Sequence, residues 1–293
     1  DDIKTVADDD LDLRDYLHYS DWSPDEMFDQ LLDLVDDYVA SPVVSRFLHR
    51  VFDDEERVAL FKKAPAAKSN HHEYFAGLLE HCLSMSRIGV RLTRHYAAYY
   101  PGFLNQDLVI AGCILHDIGK LEELGFERSV HYTTDGKMIG HITQGVELIT
   151  AVARQMDPEP PADMIRQLKH LVLSHHGKNE YGSPIEPRTP EAMLLHEIDM
   201  IDSRMNLFHS HVADHRAGLN AEEPWTDYNR TVESDIHAGP AEPPEWAAPL
   251  TPADDDVIGP GALRSSASDS DASPDGQADD EADDAKTMDL FGG

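Results

Sequence analysis

Cysteine is scarce in this chain of 293 residues, which contains only Cys82 and Cys113. Both lie inside apolar stretches, so we expect two buried, reduced thiols and neither a disulfide framework nor a cysteine-based zinc site. No run of about 18 apolar residues occurs, and the first residues, DDIKTVADDD, have neither the basic nor the apolar region of a signal peptide. These absences predict a cytoplasmic protein with no membrane span.

Basic residues are also few: 24 Lys and Arg stand against 56 Asp and Glu, which gives a formal net charge of −32. The sequence therefore has no basic patch that would predict nucleic-acid binding through charge. A carboxylate-rich surface repels itself in dilute buffer, whereas molar salt shortens the Debye length to about 3 Å and screens that repulsion. We predict a halophilic cytosol. The alternative is an acidic protein with an acidic tail.

Strand-like alternation is nearly absent, and apolar residues recur instead at helical spacing. Ser23–Pro24 and Ser41–Pro42 each combine a helix N-cap with a proline at the first helical position. Further helices are predicted near residues 71–98, 105–117, 138–156, 161–175 and 190–212. The sequence therefore predicts an all-α bundle.

We predict three parts in the chain, and composition separates the last of them from the rest. Residues 1–64 form an N-terminal segment with helices that lead into a central domain at 65–232. Residues 233–293 are rich in Pro, Ser, Asp and Ala, so we predict a disordered acidic tail. Near its end an apolar cluster has the character of a short peptide that docks on a protein partner. Its members are Met288, Leu290 and Phe291.

Five segments each carry a His or Asp at a position that faces the predicted core. In CILHDIGKLEEL, His116 and Asp117 end a helix that is apolar nearly all round, so they face the interior or a cleft. Alone, such a pair would be a buried hydrogen-bonded couple. Neutral imidazole and carboxylate together suit a divalent cation, and several buried together predict a metal site. The other segments supply His81, His141, His175, His176, Asp199 and Asp202.

The order His81, His116–Asp117, Asp199 resembles the HD superfamily of metal-dependent phosphohydrolases, whose fold is an all-α bundle. Residues 65–210 resemble the YhaM-type 3′→5′ exoribonucleases through five stretches: NHHEYFAGLLEHCLSM, DLVIAGCILHDIGKLEEL, YTTDGKMIGHI, LKHLVLSHHGKNEYGSP and AMLLHEIDMIDSRMN. HHGKNEYGSP is only superficially similar to the HH…GYP stretch of cyclic-dinucleotide phosphodiesterases. Ser183 replaces the Tyr before Pro, and the spacing differs.

The resemblance implies a role for each matching residue. Four residues match the positions that hold a first metal: His81, His116, Asp117 and Asp199. Asp117 is placed to bridge to a second metal, while Asp202 is expected beside the ligands. Three residues match the ligands of that second metal: His141, His175 and His176. Lys120 matches the Lys of the HDxGK form and is expected to hold a phosphate oxygen. His71 and His72 are predicted to begin a helix, where His72 either contacts the substrate or caps the helix.

Metal-assisted phosphodiester hydrolysis of a single-stranded RNA 3′ end is the implied activity, with Asp117 and Lys120 as its catalytic residues. The resemblance implies two divalent cations. Mn²⁺ is the first choice, with Fe²⁺, Co²⁺ or Mg²⁺ as alternatives. Two other functions stay open: hydrolysis of nucleotides or small phosphoesters, and a non-catalytic metal-stabilised interaction module. The YhaM-type family has a nucleic-acid-binding OB-fold ahead of the catalytic domain, and the 23 residues before the first predicted helix are too few to form one. Either that domain was removed, which a first residue other than Met favours, or this chain binds RNA differently.

Overall fold

The computed structural model describes residues 19–67, 72, 74–126, 129–219 and 221–239. Within these ranges the chain forms helices and one small antiparallel hairpin, so the prediction of an all-α fold is confirmed. The helices are α1 (Pro24–Tyr38), α2 (Pro42–Val51), α3 (Glu55–Phe61), α4 (Gly77–Tyr99), α5 (Gln106–Leu115), α6 (Lys120–Glu123), α7 (Thr134–Met138), α8 (His141–Gln155), α9 (Ala162–Ser174) and α10 (Pro190–Ala217). The hairpin pairs β1 (Leu124–Gly125) with β2 (His131–Tyr132).

The two predicted Ser–Pro helix starts are present, but their caps differ. Ser23 Oγ accepts a hydrogen bond from the backbone N–H of Glu26 at 3.4 Å. Ser41 makes no such side-chain cap. Instead, the backbone N–H groups of Ala40 and Ser41 donate to the carboxylate of Asp107, at 3.0 and 2.8 Å. Asp107 lies in the first turn of α5, so this contact ties the start of α2 to the central helix.

Helix α5 is the buried centre of the bundle. Every residue from Leu108 to Leu115 is buried, as its continuous apolar sequence predicts. Helix α4 packs along it, and α9 and α10 cover it from other sides. The end of α5 therefore opens into the middle of the molecule, which is where His116 and Asp117 follow.

Some predicted helix boundaries were wrong. The helix predicted near 71–98 begins at Gly77, because His72 and Ala76 have positive φ angles of 47° and 66° and form a turn. His72 therefore does not begin a helix, and His71 lies outside the described residues. The helix predicted near 138–156 begins at His141, because Gly140, with φ 79°, separates it from the short helix α7, which was not predicted.

Beyond α10, residues 221–239 form a small bridged turn. The backbone N–H of Thr226 donates to Ile236 O at 2.9 Å, and that of Asn229 donates to Ser234 O at 2.8 Å. The predicted tail boundary at residue 233 falls inside this turn. Residues 240–293 lie outside the described part of the chain, and so does the predicted docking cluster, Met288, Leu290 and Phe291. None of the described helices has the length and apolar character needed to cross a membrane.

Candidate metal centre

Two helices end at predicted metal ligands. His116 is the C-cap residue of α5 and is followed by Asp117, while His175 is the C-cap residue of α9 and is followed by His176. The ring centroids of His116 and His175 lie 5.1 Å apart, so the two helix ends meet at one place. A helix C-terminus carries a partial negative charge. Two such ends therefore favour a cation between them.

His116 and His175 are held in matching orientations by backbone carbonyls. Nδ1 of His116 lies 3.1 Å from Cys113 O, and Nδ1 of His175 lies 2.7 Å from Val172 O. In the neutral ring each Nδ1–H donates to the carbonyl oxygen, which leaves Nε2 with a lone pair for a metal. Both Nε2 atoms face Asp117, at 3.2 Å from Oδ2 for His116 and 3.6 Å from Oδ1 for His175.

His81, from α4, is fully buried and lies between two carboxylates of α10. Its Nδ1 is 2.7 Å from Asp202 Oδ2, and its Nε2 is 3.3 Å from Asp199 Oδ1. Burial alone would lower the pKa of His81, but the hydrogen bonds to Asp199 and Asp202 raise it to about 9. Asp202 also accepts a hydrogen bond from Ser84 Oγ. Asp202 thus holds one edge of the ring, and Asp199 faces the other edge.

His141 begins α8 and is oriented by Glu123, which is not among the predicted site residues. Glu123 Oε1 lies 3.0 Å from both the backbone N and the Nδ1 of His141. Burial opposes ionisation of Glu123, but its hydrogen bonds with His141 lower its pKa. The Nε2 of His141 faces Asp117 Oδ1 at 3.4 Å. The only sequence signal for Glu123 was its place in CILHDIGKLEEL, three residues after Lys120.

Asp117 lies between two groups of side chains and presents one oxygen to each. Oδ1 faces Nε2 of His141 and of His175, at 3.4 and 3.6 Å. Oδ2 faces His116 Nε2 at 3.2 Å and Lys120 Nζ at 2.5 Å. Burial alone would raise the pKa of Asp117, but Lys120 and His116 hold it well below its usual range. The carboxylate is therefore charged and directed at both groups.

The donor atoms of the centre fit a metal because several of them are buried without a hydrogen-bond partner. Among the described residues these atoms include His116 Nε2, Asp117 Oδ1, His141 Nε2 and His176 Nδ1. Leaving a buried polar atom unsatisfied costs about 1–3 kcal/mol. Divalent cations accept both imidazole nitrogen and carboxylate oxygen, so metal coordination would remove this cost.

Candidate ligand atoms form two compact groups that meet at Asp117. Ligand atoms of His141, His175 and His176 lie within 4.8 Å of one another. Those of His81, His116 and Asp117 form a second group with the same spread. Burial, with the charge of His175 next, lowers the pKa of His176 to about 4, so its ring is neutral at pH 7 and able to bind a metal.

His72 occupies a different place from the one predicted. It is 4% exposed, because the turn that precedes α4 folds it inward. Its Nδ1 lies 2.8 Å from Tyr74 Oη and its Nε2 lies 3.1 Å from Asp202 Oδ2. Both ring nitrogens are thus engaged behind His81. The geometry gives His72 a supporting position and no open surface for a substrate.

Residues 78–204 match the family model of the HD domain, and this range contains every predicted metal ligand. This match identifies an HD domain in these residues, and an HD domain implies divalent metal binding.

The chain is similar to curated proteins that carry the name 3′-5′ exoribonuclease YhaM. The protein from Oceanobacillus iheyensis is 41% identical over 199 residues, which cover 68% of this chain and 60% of the relative. That from Halalkalibacterium halodurans is 37% identical over 203 residues, 69% of this chain and 60% of the relative. That from Bacillus subtilis is 36% identical over 197 residues, 67% of this chain and 60% of the relative.

These matches confirm the resemblance that the sequence motifs indicated. The chain spans about 60% of the length of the curated relatives it matches. No solved structure gives a significant match.

Proposed function

We propose that this chain is a metal-dependent phosphodiesterase that removes nucleotides from the 3′ end of single-stranded RNA. The observation that carries the proposal is the position of Asp117, whose two oxygens face two separate groups of buried ligand atoms. Two adjacent cations that share a carboxylate are typical of enzymes that cleave phosphodiesters. The HD domain and the similarity to proteins named 3′-5′ exoribonuclease support the choice of RNA.

Each proposed cation has its own set of ligands on the two sides of Asp117. His81, His116, Asp117 and Asp199 would hold the first. His141, His175 and His176 would hold the second, with Asp117 shared. Divalent cations supply a Lewis acid for the phosphoryl oxygens and lower the pKa of water. Mn²⁺ is our first choice for this mixed nitrogen and oxygen set, with Fe²⁺, Co²⁺ and Mg²⁺ as alternatives.

The protein's own contribution is to orient the ligands and to supply charge. The carbonyls of Cys113 and Val172 and the carboxylate of Glu123 fix three imidazole rings with Nε2 directed at Asp117. Lys120 lies 2.5 Å from Asp117. Burial alone would lower the pKa of Lys120, but Asp117 raises it, so the ammonium stays charged. We assign it a charge-assisted hydrogen bond to a phosphate oxygen of the substrate.

The test is a substrate panel for the purified chain, loaded with Mn²⁺ in molar KCl. The substrates are 3′-labelled single-stranded RNA, matched DNA, nucleoside triphosphates and bis-p-nitrophenyl phosphate. We expect release of labelled mononucleotide from RNA, abolished by a chelator and restored by Mn²⁺. Turnover of triphosphates alone would favour the second candidate, a hydrolase of small phosphoesters. A fully metallated chain without turnover would favour a non-catalytic module.

We also propose that the protein works in a halophilic cytoplasm, because its net charge is −32.

We propose that a protein partner binds Met288, Leu290 and Phe291, at the end of an acidic segment, and this proposal rests on the sequence alone. Removal of residues 286–293 should abolish association with that partner and leave RNA hydrolysis unchanged.

A further inference from the structure

The segment after His176 is a fixed turn that carries an exposed tyrosine. Gly177 and Gly182, with φ angles of 81° and 89°, flank a 3-10 turn at Asn179–Tyr181. Ser183 is 4% exposed, and its Oγ lies 3.0 Å from Leu173 O and 2.8 Å from Ile185 O. The turn is thereby fastened to the end of α9, where the metal ligands lie.

This turn lies directly against the candidate metal centre. A Cβ atom added at Gly182 would lie 3.8 Å from His176 Nδ1, which is buried and has no hydrogen-bond partner among the described residues. Tyr181 precedes Gly182, and consecutive Cα atoms are about 3.8 Å apart. Tyr181 therefore belongs to the part of the turn that adjoins the group formed by His141, His175 and His176. Tyr181 is 57% exposed to solvent.

A nucleic acid needs an attraction here that does not depend on net charge. The chain carries a net charge of −32, which repels phosphate groups, and high salt weakens the contacts that cations make with them. Stacking of a base on an aromatic ring requires no charge and accepts every base. An exposed ring on the turn that adjoins the metal ligands would supply that attraction.

We propose that Tyr181 is a stacking platform for a base of the single strand whose end lies at the metal centre. The inference rests on the proposed function and adds a substrate subsite to it. Lys178 Nζ lies 5.6 Å from the centroid of the Tyr181 ring. We therefore expect its ammonium group to contact a phosphate next to the stacked base. Because stacking accepts every base, this subsite predicts cleavage with little base preference.

The first experiment compares Tyr181→Ala, Tyr181→Phe and Tyr99→Ala on single-stranded RNA of about ten nucleotides. Tyr99 is a matched control: it is 67% exposed and lies on α4, about 27 Å along the helix from His81. We expect Tyr181→Ala to raise KM about 5- to 100-fold, with kcat within about twofold of the unsubstituted chain. Tyr181→Phe keeps the ring and should retain the original KM, as should Tyr99→Ala.

The second experiment removes the base instead of the ring. Three RNA strands each carry a single abasic nucleotide, at the last, second-last or third-last position, and all three strands keep every phosphate. At one of these positions, the missing base should raise the KM of the unsubstituted chain by the same factor as Tyr181→Ala raises it on intact RNA. The KM of Tyr181→Ala should not rise further on that strand. Lys178→Ala should lower the slope of log KM against log salt by about 0.7.

Three results would overturn the platform. The first is an unchanged KM for Tyr181→Ala, and the second is a penalty that persists on every abasic strand. The third is a fall in kcat together with metal content, which would show that the turn only supports His176. Failure of the unsubstituted chain to cleave RNA would overturn the proposed function and this inference together. Cleavage that is indifferent to Tyr181 would overturn the inference alone.

Discussion

At the scale of single residues, Asp117 shows which features of the site could be predicted from the sequence and which could not. The apolar helix before Asp117 predicted that its charge would be buried, and the need to offset that charge predicted a metal site. The structure adds the partners: Lys120 and His116 on one oxygen, His141 and His175 on the other. Which oxygen meets which ring depends on how four helices pack, so no local pattern could predict it.

Asp117→Asn tests the shared carboxylate. The amide keeps the shape of the side chain but loses the charge that both proposed cations require. We therefore expect activity to fall by several orders of magnitude and metal content to fall from about two per chain. Circular dichroism should show that the helices persist. Asp163→Asn, on the exposed surface of α9, is the control and should leave activity and metal content unchanged. A variant that keeps a tenth of the original turnover would rule out the two-metal arrangement.

The groups that orient the histidines could not be predicted from the sequence. Two of the three are backbone carbonyls, of Cys113 and Val172, and backbone groups carry no signal in a sequence. The third, Glu123, follows another glutamate and differs from it only in burial. Telling them apart requires the short helix α6, which was not predicted.

Glu123→Gln tests this supporting role. The amide oxygen can still accept from one N–H of His141, but the charge that favours the correct tautomer is lost. Supporting changes of this kind typically weaken metal affinity about 10- to 100-fold, and we expect that range in a Mn²⁺ titration followed by calorimetry. The exposed neighbour supplies the control, since Glu122→Gln should bind Mn²⁺ like the unsubstituted chain. Equal affinity in both variants would show that Glu123 is not needed to orient His141.

At the scale of elements, long helices with clear caps were predicted and short or interrupted ones were not. Ser23–Pro24 and the apolar periodicity of α1 define that helix within a residue or two. Helix α6 has only four residues, too few for a period to show. The break between α7 and α8 depends on the φ of Gly140, and a glycine in an otherwise helical pattern does not specify its own φ. That break matters because it places His141 at the start of α8.

Gly119→Ala tests how α6 and α8 are brought together. A Cβ atom at Gly119 would lie 2.0 Å from His141 O and 2.7 Å from Gly145 N, and backbone atoms cannot move aside cheaply. We expect a loss of about 1–3 kcal/mol or more in the free energy of unfolding, together with reduced metal binding because His141 must shift. Gly145→Ala is the milder comparison, since its Cβ meets a side chain, Val172 Cγ1, at 3.3 Å. Thermal melts and metal analysis of both variants decide, and equal melting temperatures would contradict the proposed close approach.

At the scale of the whole molecule, the acidic charge is not confined to the C-terminal segment. Residues 240–293 contain 14 Asp and Glu against 2 Lys and Arg, a net charge of −12. The first 239 residues therefore carry −20 of the total of −32. An acidic tail on an ordinary domain would concentrate the charge in the tail, whereas a halophilic surface spreads it over the folded part. This distribution leads to a test that separates the two alternatives.

Thermal melts of the full chain and of a chain ending at Gly239 supply that test. Self-repulsion of the surface weakens as salt shortens the Debye length, so the melting temperature of the full chain should rise between about 0.05 M and 2 M KCl. The shortened chain keeps Gly239 O, the acceptor for Arg216, and should keep most of the rise because its charge is still −20. A parallel series in sucrose, which adds no ions, separates screening from general solute exclusion. A melting temperature that stays flat or falls with KCl would refute the halophilic surface, and a rise that disappears on truncation would assign the effect to the tail alone.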